Sequence, residues 1–496
     1  MIKDLHNLGR LEILKRTVAL KLILFCIVNI MSIGILFIMS VIYTDKALNI
    51  EICIVAVLQS TAGLYVLKEF YSLFSLAPIF LVLTELFHFG EAFVLALGRN
   101  DLINHSNVEL AGSIKTYNLA NIFALLVQAF LVVGCSMFSH KFDGSSRRRI
   151  ITNASKVIES SFHNSKDYTY SIGLIAMIIG AIPTVIYNFS MIRLALSGTS
   201  YNGIRSAVDL GPLMLLTCFF RVGVVSMILG KIKSNSKRKA KIILLIASAF
   251  EVLCMLSGNR GKQLCILIVY LFIYYRYIEK FKWRNIISAC IIGYLGIAFL
   301  YLVSSMRLYG MGNALKLENF VRVLSGSPIL KLLAEQGSTL NMVALTMRDV
   351  PNYTPYVIGQ QYLVSLLSIF PDTGGWQGNL PNLVGTLYYL NTDLTLGDSY
   401  IAELYHNFGW FGSLFAIFIG AFLGRVTTRI EELINSDNYL LMACYMILFS
   451  KLLWMVRCNF FNFLYDFTWA TVSLLFISIC VKSSGCGRTI ENGLKS

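Results

Sequence analysis

Three arginines of this sequence lie beside apolar runs, where a charged side chain is costly. Arg260 lies in the turn 257–262 between two runs, Arg307 follows a third run, and Arg457 separates the last two. A guanidinium group matches the oxygens of a phosphate as a fork of parallel hydrogen bonds. Each arginine alone is equally explained by a lipid phosphate or a nearby acid, but the three together favour a pyrophosphate site.

A second group of polar residues lies at 397–409. If this segment is helical, Glu403 and Asn407 share one face, and His406 lies beside them. A carboxylate or an imidazole accepts a proton from a hydroxyl group, and an amide suits a sugar, so this edge predicts sugar chemistry. Asp398 is a further candidate acid; the alternative is a helix start in which Asp398 or Ser399 is the N-cap.

Other kinds of site are disfavoured. The 11 cysteines form no CxxC pair and the 6 histidines form no HxxxH pair, so neither a disulfide framework nor a metal centre is predicted. The dipeptide Gly261-Lys262 resembles the end of a P-loop, but Leu256 and Gln263 replace its first glycine and its Ser or Thr. The sequence therefore predicts no metal and no nucleotide cofactor.

Composition places these residues in a membrane protein. Of 496 residues, 56% are hydrophobic and only 14% are charged, with a mean hydropathy of +0.67. A soluble protein carries about a quarter of charged residues. The formal charge of +15 comes from basic stretches between apolar runs, which is the bias of cytoplasmic loops and not of nucleic-acid binding.

The apolar runs predict an all-α polytopic protein with about twelve transmembrane helices. The first run is longer than the core of a signal peptide, about 7–15 residues, and is expected to remain as a span. Basic stretches at 141–166, 231–241 and 276–284 place both chain ends in the cytoplasm. The predicted spans are 20–43, 49–67, 70–87, 119–138, 168–189, 211–230, 242–256, 264–275, 286–304, 409–425, 439–455 and 460–481.

Three regions follow from this topology. Residues 1–305 hold spans one to nine, 306–408 form a large extracytoplasmic segment, and 409–496 hold spans ten to twelve with a cytoplasmic tail. The middle segment alternates predicted amphipathic helices at 315–324, 328–333 and 357–370 with turns, and its aromatic content predicts a folded cap. Asp466 lies within the last span, where an arginine or a polar group of another helix is its expected partner.

Several short motifs, taken in order, resemble the O-antigen polysaccharide polymerases of the Wzy type. They are residues 257–261 (SGNRG), 359–363 (GQQYL) followed by 369–371 (IFP), 403–409 (ELYHNFG) and the late Arg457. The resemblance implies a membrane glycosyltransferase of the C class, in a bacterial inner membrane, that needs neither metal nor nucleotide. It implies transfer of a growing glycan from undecaprenyl diphosphate to a new lipid-linked repeat unit, with a chain-length regulator as a further partner.

Residue roles follow from the same resemblance. Arg260 and Arg457 match arginines of the family, whereas Arg307 and Glu403 match less securely, and His406 departs from the expected neutral residue. Trp376 and Glu335 of the cap are candidates for a sugar groove, although packing explains the aromatic residue equally well. A flippase for lipid-linked oligosaccharide and an O-antigen ligase are the alternatives; two matching halves, expected of many transporters, are absent from the sequence.

Overall fold

The structure is a computed structural model, and it describes residues 2–103, 107–137, 168–196, 208, 211–257, 260–280, 293–299, 318, 321, 326–367, 369–370 and 398–483. The regular elements of these residues are all helical, which confirms the predicted all-α class. The helices are α1 (Ile2–Ile42), α2 (Asn49–Leu67), α3 (Leu76–Ala96), α4 (Asn107–Ala111), α5 (Ile114–Met137), α6 (Thr169–Leu196), α7 (Thr217–Lys233), α8 (Lys237–Cys254), α9 (Gly261–Ile273), α10 (Pro328–Gly337), α11 (Leu340–Asp349), α12 (Gln360–Leu367), α13 (Tyr400–Phe408), α14 (Gly412–Ile434), α15 (Tyr439–Met455) and α16 (Phe460–Ser483).

Helices of membrane-spanning length occur along most of the described chain. Nine stretches of the described residues are long and apolar enough to cross a bilayer, and α15 is a shorter apolar helix. Large apolar side chains on these helices face outward; on α1, for example, Ile30 is 72% exposed. Because such a surface needs lipid around it, the prediction of a multi-pass membrane protein is confirmed. Of the other predicted spans, 264–275 falls on α9, which has 13 residues, and 286–304 lies mostly outside the described residues.

The third predicted span, 70–87, is wrong in its bounds. The chain turns between α2 and α3, where the Tyr71 hydroxyl donates to the carbonyl of Cys135 at 2.8 Å, and the helix runs over Leu76–Ala96. Pro78 explains the shift, since proline is tolerated in the first turn of a helix but not in its interior. Apolar content alone had placed the aromatic residues of this turn inside the span.

In the described residues between 326 and 370, the helices also differ from the predicted ones. The predicted piece at 328–333 extends to Gly337 as α10, and the piece at 357–370 contracts to α12. A further helix, α11, was not predicted; its residues 340–346 are buried, and it packs against α4, α5 and α13. The piece at 315–324 lies mostly outside the described residues.

The chain divides into two compact units. The first comprises Met1–Arg149, Leu333–Arg429 and Met455–Asn462, and the second comprises Ile150–Leu332, Ile430–Trp454 and Phe463–Ser496. In the first unit, α1, α2, α3 and α5 pack together, and the end of α10 meets α3 without intervening side chains. A Cβ atom on Gly90 or Gly337 would overlap the backbone of the other helix. The residues that follow Leu333 are thus held directly against a membrane helix.

In the second unit, α6 and α7 form a closely packed pair. Gly173 and Gly180 of α6, and Gly223 and Gly230 of α7, lie seven residues apart on each helix. A Cβ atom at any of the four would overlap backbone atoms of the partner helix. Small residues at such an interface let two membrane helices approach until their backbones touch, and dispersion contacts then hold the pair.

Candidate functional site

Residues 400–408 form helix α13, which confirms that this segment is helical, and a serine caps the start of the helix. Ser399 is the N-cap, and its Oγ accepts a hydrogen bond from the backbone N–H of Ile401 at 3.2 Å. The same Oγ lies 2.8 Å from Nε2 of the fully buried His88 on α3. The N-cap expectation therefore holds for Ser399, and α13 is fixed by its cap to a membrane helix of the first unit.

Glu403 is the best-buried acid of the predicted site, with 2% of its surface exposed. Its Oε2 accepts a hydrogen bond from the backbone N–H of Phe460 at 2.9 Å. Phe460 is the first residue of α16, so the carboxylate lies at the positive end of that helix dipole. Glu403 forms no ion pair with any lysine, arginine or histidine that the structure describes.

Asn407 and His406 are joined to α12 through one glutamine. The amide of Asn407 donates to Gln361 Oε1 at 2.7 Å and to the carbonyl of Glu403 at 2.8 Å. Gln361 Nε2 lies 3.2 Å from Nδ1 of His406, which indicates that this nitrogen accepts the bond. Asn407 and His406 are each 1% exposed. Gln361 thus links Asn407 and His406 to α12, and Asn407 also bonds the backbone carbonyl of Glu403 one turn earlier.

The carboxyl end of α13 is closed by the turn before α12. Backbone N–H groups of Val357 and Ile358 donate to the carbonyls of His406 and Asn407 at 3.2 and 3.1 Å. Gly359 then adopts a φ of +79°, and its N–H donates to Asn407 Oδ1 at 2.9 Å. The last carbonyls of a helix otherwise lack partners, so this turn fixes the position of the Glu403–Asn407 face.

Arg457 and Asp398 belong to the same unit as Glu403. The Arg457 guanidinium donates to Gln336 Oε1 at 2.8 Å and lies 5.9 Å from the centre of the Phe87 ring. Asp398 Oδ2 accepts a hydrogen bond from Asn459 Nδ2 at 3.2 Å. The break between α15 and α16 thus contains Arg457 and supplies the partner of Asp398, and the residue that follows it, Phe460, supplies the partner of Glu403.

The other predicted site residues lie elsewhere in the chain or outside the described residues. Arg260 belongs to the second unit, where its carbonyl accepts the backbone bond of Leu264 at the start of α9. Glu335 lies on α10 of the first unit and is half-buried. Arg307 and Trp376 lie outside the described residues. Their proposed roles at the diphosphate and at the sugar stay predictions.

Tyr362 of α12 adds an aromatic wall next to Glu403. Its ring stacks on Phe408 with an interplanar angle of 15° and meets Phe460 edge to face at 5.5 Å. Burial, and secondarily the charge of Glu403, raises the pKa of the Tyr362 hydroxyl well above its ordinary value. The hydroxyl therefore keeps its proton at neutral pH and remains a hydrogen-bond donor.

A second buried acid of the first unit, Glu85, has a different environment. It lies on α3, and its Oε2 accepts hydrogen bonds from Ser60 at 2.7 Å and Gln128 at 3.1 Å. Ser60 and Gln128 are themselves hydrogen bonded at 3.1 Å. This triad links α2, α3 and α5 inside the helix bundle and offers a matched structural acid for comparison with Glu403.

Asp466 has the partners that its position requires, but they are lysines. Its Oδ2 accepts from Lys451 at 2.6 Å and from Lys262 at 3.3 Å, all within the second unit. The expectation of a partner from another helix is confirmed, although neither described partner is an arginine. Lys451 lies inside the predicted span 439–455, and a cation within an apolar run was the signal that could have identified the pair.

The sequence also missed the residues that position the cluster. His88, Gln336 and Gln361 are polar residues of apolar or amphipathic helices whose contacts join segments far apart in the chain. For His88 a signal existed, because a histidine in the middle of an apolar run needs a partner. Gln361 falls in the motif 359–363, but nothing in that motif relates it to Asn407, which lies 46 residues later.

Comparison with known proteins gives one finding. The chain matches the family model of the O-antigen polysaccharide polymerase Wzy over residues 22–487, nearly its whole length. No curated protein and no solved structure matches it. The match includes residues of both units and reaches from the first described span to the last, and it agrees with the all-helical membrane fold and with the resemblance carried by the short motifs. The chain therefore belongs to the O-antigen polysaccharide polymerase Wzy family, whose members polymerise the repeat units of O-antigen.

Proposed function

We propose that this polymerase uses Glu403 as the base that activates the acceptor sugar. A hydroxyl oxygen of the acceptor repeat unit attacks the anomeric carbon of the donor glycan. The bond from that carbon to the diphosphate oxygen breaks, undecaprenyl diphosphate leaves with the bonding electrons, and the carboxylate takes the hydroxyl proton. General base catalysis of this kind contributes about 10²–10⁴-fold to a rate.

The observation that carries the proposal is the environment of the Glu403 carboxylate. It is buried, it accepts a hydrogen bond from a backbone N–H at the start of α16, and no described cation pairs with it. A carboxylate in this position can accept a proton without breaking an ion pair. The network through Asn407 and Gln361 and the cap built by Ser399 and His88 fix the helix that carries it.

Neighbouring side chains have the chemistry to bind sugars. The Tyr362 ring and its protonated hydroxyl lie beside Glu403, and aromatic faces with polar edges are common in sugar-binding sites. His406 and Asp398 remain candidate acid–base groups of the same cluster. We assign His406 a positioning role, because Gln361 donates to its Nδ1 and its side chain is 1% exposed.

The departing diphosphate is negatively charged, so positively charged side chains are needed to stabilise it. Of the three arginines predicted to bind the diphosphate, Arg457 is in the same unit as Glu403, and a guanidinium stabilises the charge that develops on a departing diphosphate. Arg260 and Arg307 are proposed for the same task. The diphosphate also supplies the driving force, so we propose a reaction that needs neither metal nor nucleotide.

We further propose a topology of about twelve spans, similar to glycosyltransferases of the C class. Both chain ends are placed in the cytoplasm and the reaction on the extracytoplasmic face of the inner membrane. Three basic segments support this orientation, since each falls where the count of spans places cytoplasm. A chain-length regulator is a proposed partner.

The test is the length of the glycan made in cells that lack their own polymerase. Parent chain should restore long polymer, whereas Glu403→Gln at equal abundance in the membrane should leave mostly single repeat units. A glutamine oxygen can still accept the N–H of Phe460, so the fold is expected to survive. Rates of a purified preparation should fall by about 10²–10⁴-fold.

Glu85→Gln is the matched control, because Glu85 is a buried acid of the same unit that also accepts from neutral donors. This variant should retain polymer of parental length. The proposal fails if Glu403→Gln supports long polymer, or if both variants lose activity equally at equal abundance, since the effect would then belong to buried acids in general.

A further inference from the structure

The second unit contains a partly open cavity of about 150 Å³ among its helix ends. Its walls come from α6, α7, α8, α9, α15 and α16 and from residues that flank α7 and α8. The charged residues of the lining are three cations and one acid: Arg221, Lys262, Lys451 and Asp466. The other polar residues of the wall are Thr184, Tyr187, Asn188, Thr217, Cys218, Ser257, Gln263 and Ser450.

The charges of this wall do not cancel. Asp466 accepts from both lysines, at 2.6 and 3.3 Å. Arg221 forms a bidentate pair with Glu251, which lies behind the wall and is 1% exposed. These five groups sum to one positive charge at neutral pH. The side chains of the three cations are 16–33% exposed, and an anion in the cavity would compensate their surplus charge.

Two polar atoms of the wall have no hydrogen-bond partner among the described residues. They are Oγ1 of Thr184 and Oε1 of Gln263, on side chains of residues that are 7% and 3% exposed. A buried polar group without a partner costs about 1–3 kcal/mol, so an occupant that satisfies it is favoured. The threonine hydroxyl can donate to an anion directly, and the glutamine amide can do so after rotation about its last bond.

We propose that this cavity binds one phosphate group of a lipid. Its volume is comparable to that of an engineered cavity that holds benzene, about 150 Å³, so it suits a phosphate but not a sugar chain. Lysines bind phosphate as point charges and hydroxyls donate to its oxygens. The shared chemistry is a phosphate ester on a hydrocarbon anchor, which either the polyprenyl carrier or a phospholipid headgroup can supply.

None of the residues that line the cavity is among those proposed for catalysis or for the diphosphate. Glu403 and Arg457 belong to the first unit, and Arg260 is not among the lining residues although it directly precedes α9. Under the proposed topology, the helix ends that line the cavity face the extracytoplasmic side, where the carrier phosphate is expected. Binding at the cavity stands whether or not Glu403 is the base.

The experiment measures binding to the full chain in detergent micelles by native mass spectrometry and by the shift of thermal unfolding. The probes are undecaprenyl phosphate, phosphatidylglycerol and undecaprenol, which has the same chain without phosphate. Both phosphate lipids or the polyprenyl one alone should bind more tightly than undecaprenol. Thr184→Val and Lys451→Gln should each weaken this binding by about tenfold or more, the loss expected for one hydrogen bond to a charged group.

Lys241→Gln is the control, because this lysine lies in the same unit but away from the cavity. Thr184→Val is nearly isosteric, so it keeps the test decisive if Lys451→Gln fails to fold. Binding of the polyprenyl phosphate alone identifies the carrier as the source, and equal binding of phosphatidylglycerol identifies the headgroup; both support the site. Equal binding of undecaprenol, or binding unchanged in Thr184→Val, overturns it.

Loss of the cavity proposal would leave the proposed function intact if Glu403→Gln still abolishes polymer. Conversely, long polymer from Glu403→Gln would remove the proposed base without changing the binding results. The two readouts therefore separate the two proposals.

Discussion

Glu403 in the first unit and Glu251 in the second are both almost completely buried, at 2% and 1% exposed. Glu251 is held by both nitrogens of the Arg221 fork, at 2.8 and 2.7 Å. Glu403 instead accepts a single backbone N–H at 2.9 Å and has no described ion pair. The negative charge of the buried glutamate is therefore compensated by an arginine in the second unit, and a neutral N–H group holds the buried glutamate of the first unit.

The difference separates two uses of a buried carboxylate. In the second unit Asp466 repeats the solution of Glu251, with two lysines in place of the arginine. The charge of Glu251 and that of Asp466 are each cancelled by a cation, and each acid fixes the position of the cations that pair with it. In the first unit, Glu403 and Glu85 are both held by neutral donors, and only Glu403 lies on the helix face with the predicted sugar chemistry. Proton transfer is expected where the acid is not committed to a cation.

The largest stability effect is expected from breaking the Arg221–Glu251 pair. Arg221→Met leaves the buried Glu251 without its cation, and removing one partner of a buried pair costs about 3–5 kcal/mol. Unfolding of the full chain in micelles by heat or denaturant measures the loss. The double variant with Glu251→Gln removes both charges and should recover part of it; equal instability of the single and double variants would contradict the comparison.

A smaller effect is expected from the neutral network of the first unit. Gln361→Leu removes the partner of His406 Nδ1 and one of the two acceptors of the Asn407 amide. Loss of a partner for a buried polar group costs about 1–3 kcal/mol. The same unfolding measurement applies. A loss of stability as large as that of Arg221→Met would contradict the comparison, because buried polar groups of both units would then depend equally on their partners.

The smallest effect is expected from an exposed pair. Lys46 and Glu51 lie 3.2 Å apart, but the lysine side chain is 62% exposed. Solvent-exposed pairs contribute about 0–1 kcal/mol, so Lys46→Gln should change the unfolding midpoint very little. A large loss here would mean that the ion pair itself, and not its burial, stabilises the fold, and the contrast with Arg221 would have to be abandoned.

The helices were largely predictable because lipid imposes a simple rule on them. A run of apolar residues long enough to cross the bilayer must be helical, and α2 has the predicted bounds of residues 49–67. The rule says nothing about where a helix begins within an apolar stretch, so α3 was misplaced. Helix α11 was missed because its apolar residues are buried against other helices and its length is far below that of a span.

The candidate site was predictable only where it is local. Glu403, His406 and Asn407 were found because residues three and four apart share a helix face. Their partners Gln361 and Phe460 lie 45 and 57 positions away from His406 and Glu403. Hydrogen bonds over such separations depend on tertiary packing, which no spacing within one segment encodes. Lys451 could have been matched to Asp466, since both are intramembrane charges.

The glycines between α6 and α7 have a consequence for how the protein tolerates change. Each of these two helices forms one wall of the cavity, with Thr184 and Asn188 on α6 and Cys218 and Arg221 on α7. Gly173, Gly180, Gly223 and Gly230 bring the two backbones into contact because none of them has a Cβ atom. The distance between those walls therefore depends on glycine at all four positions. Even alanine at one of these positions would act as a spacer and change the dimensions of a polar cavity without altering any residue that lines it.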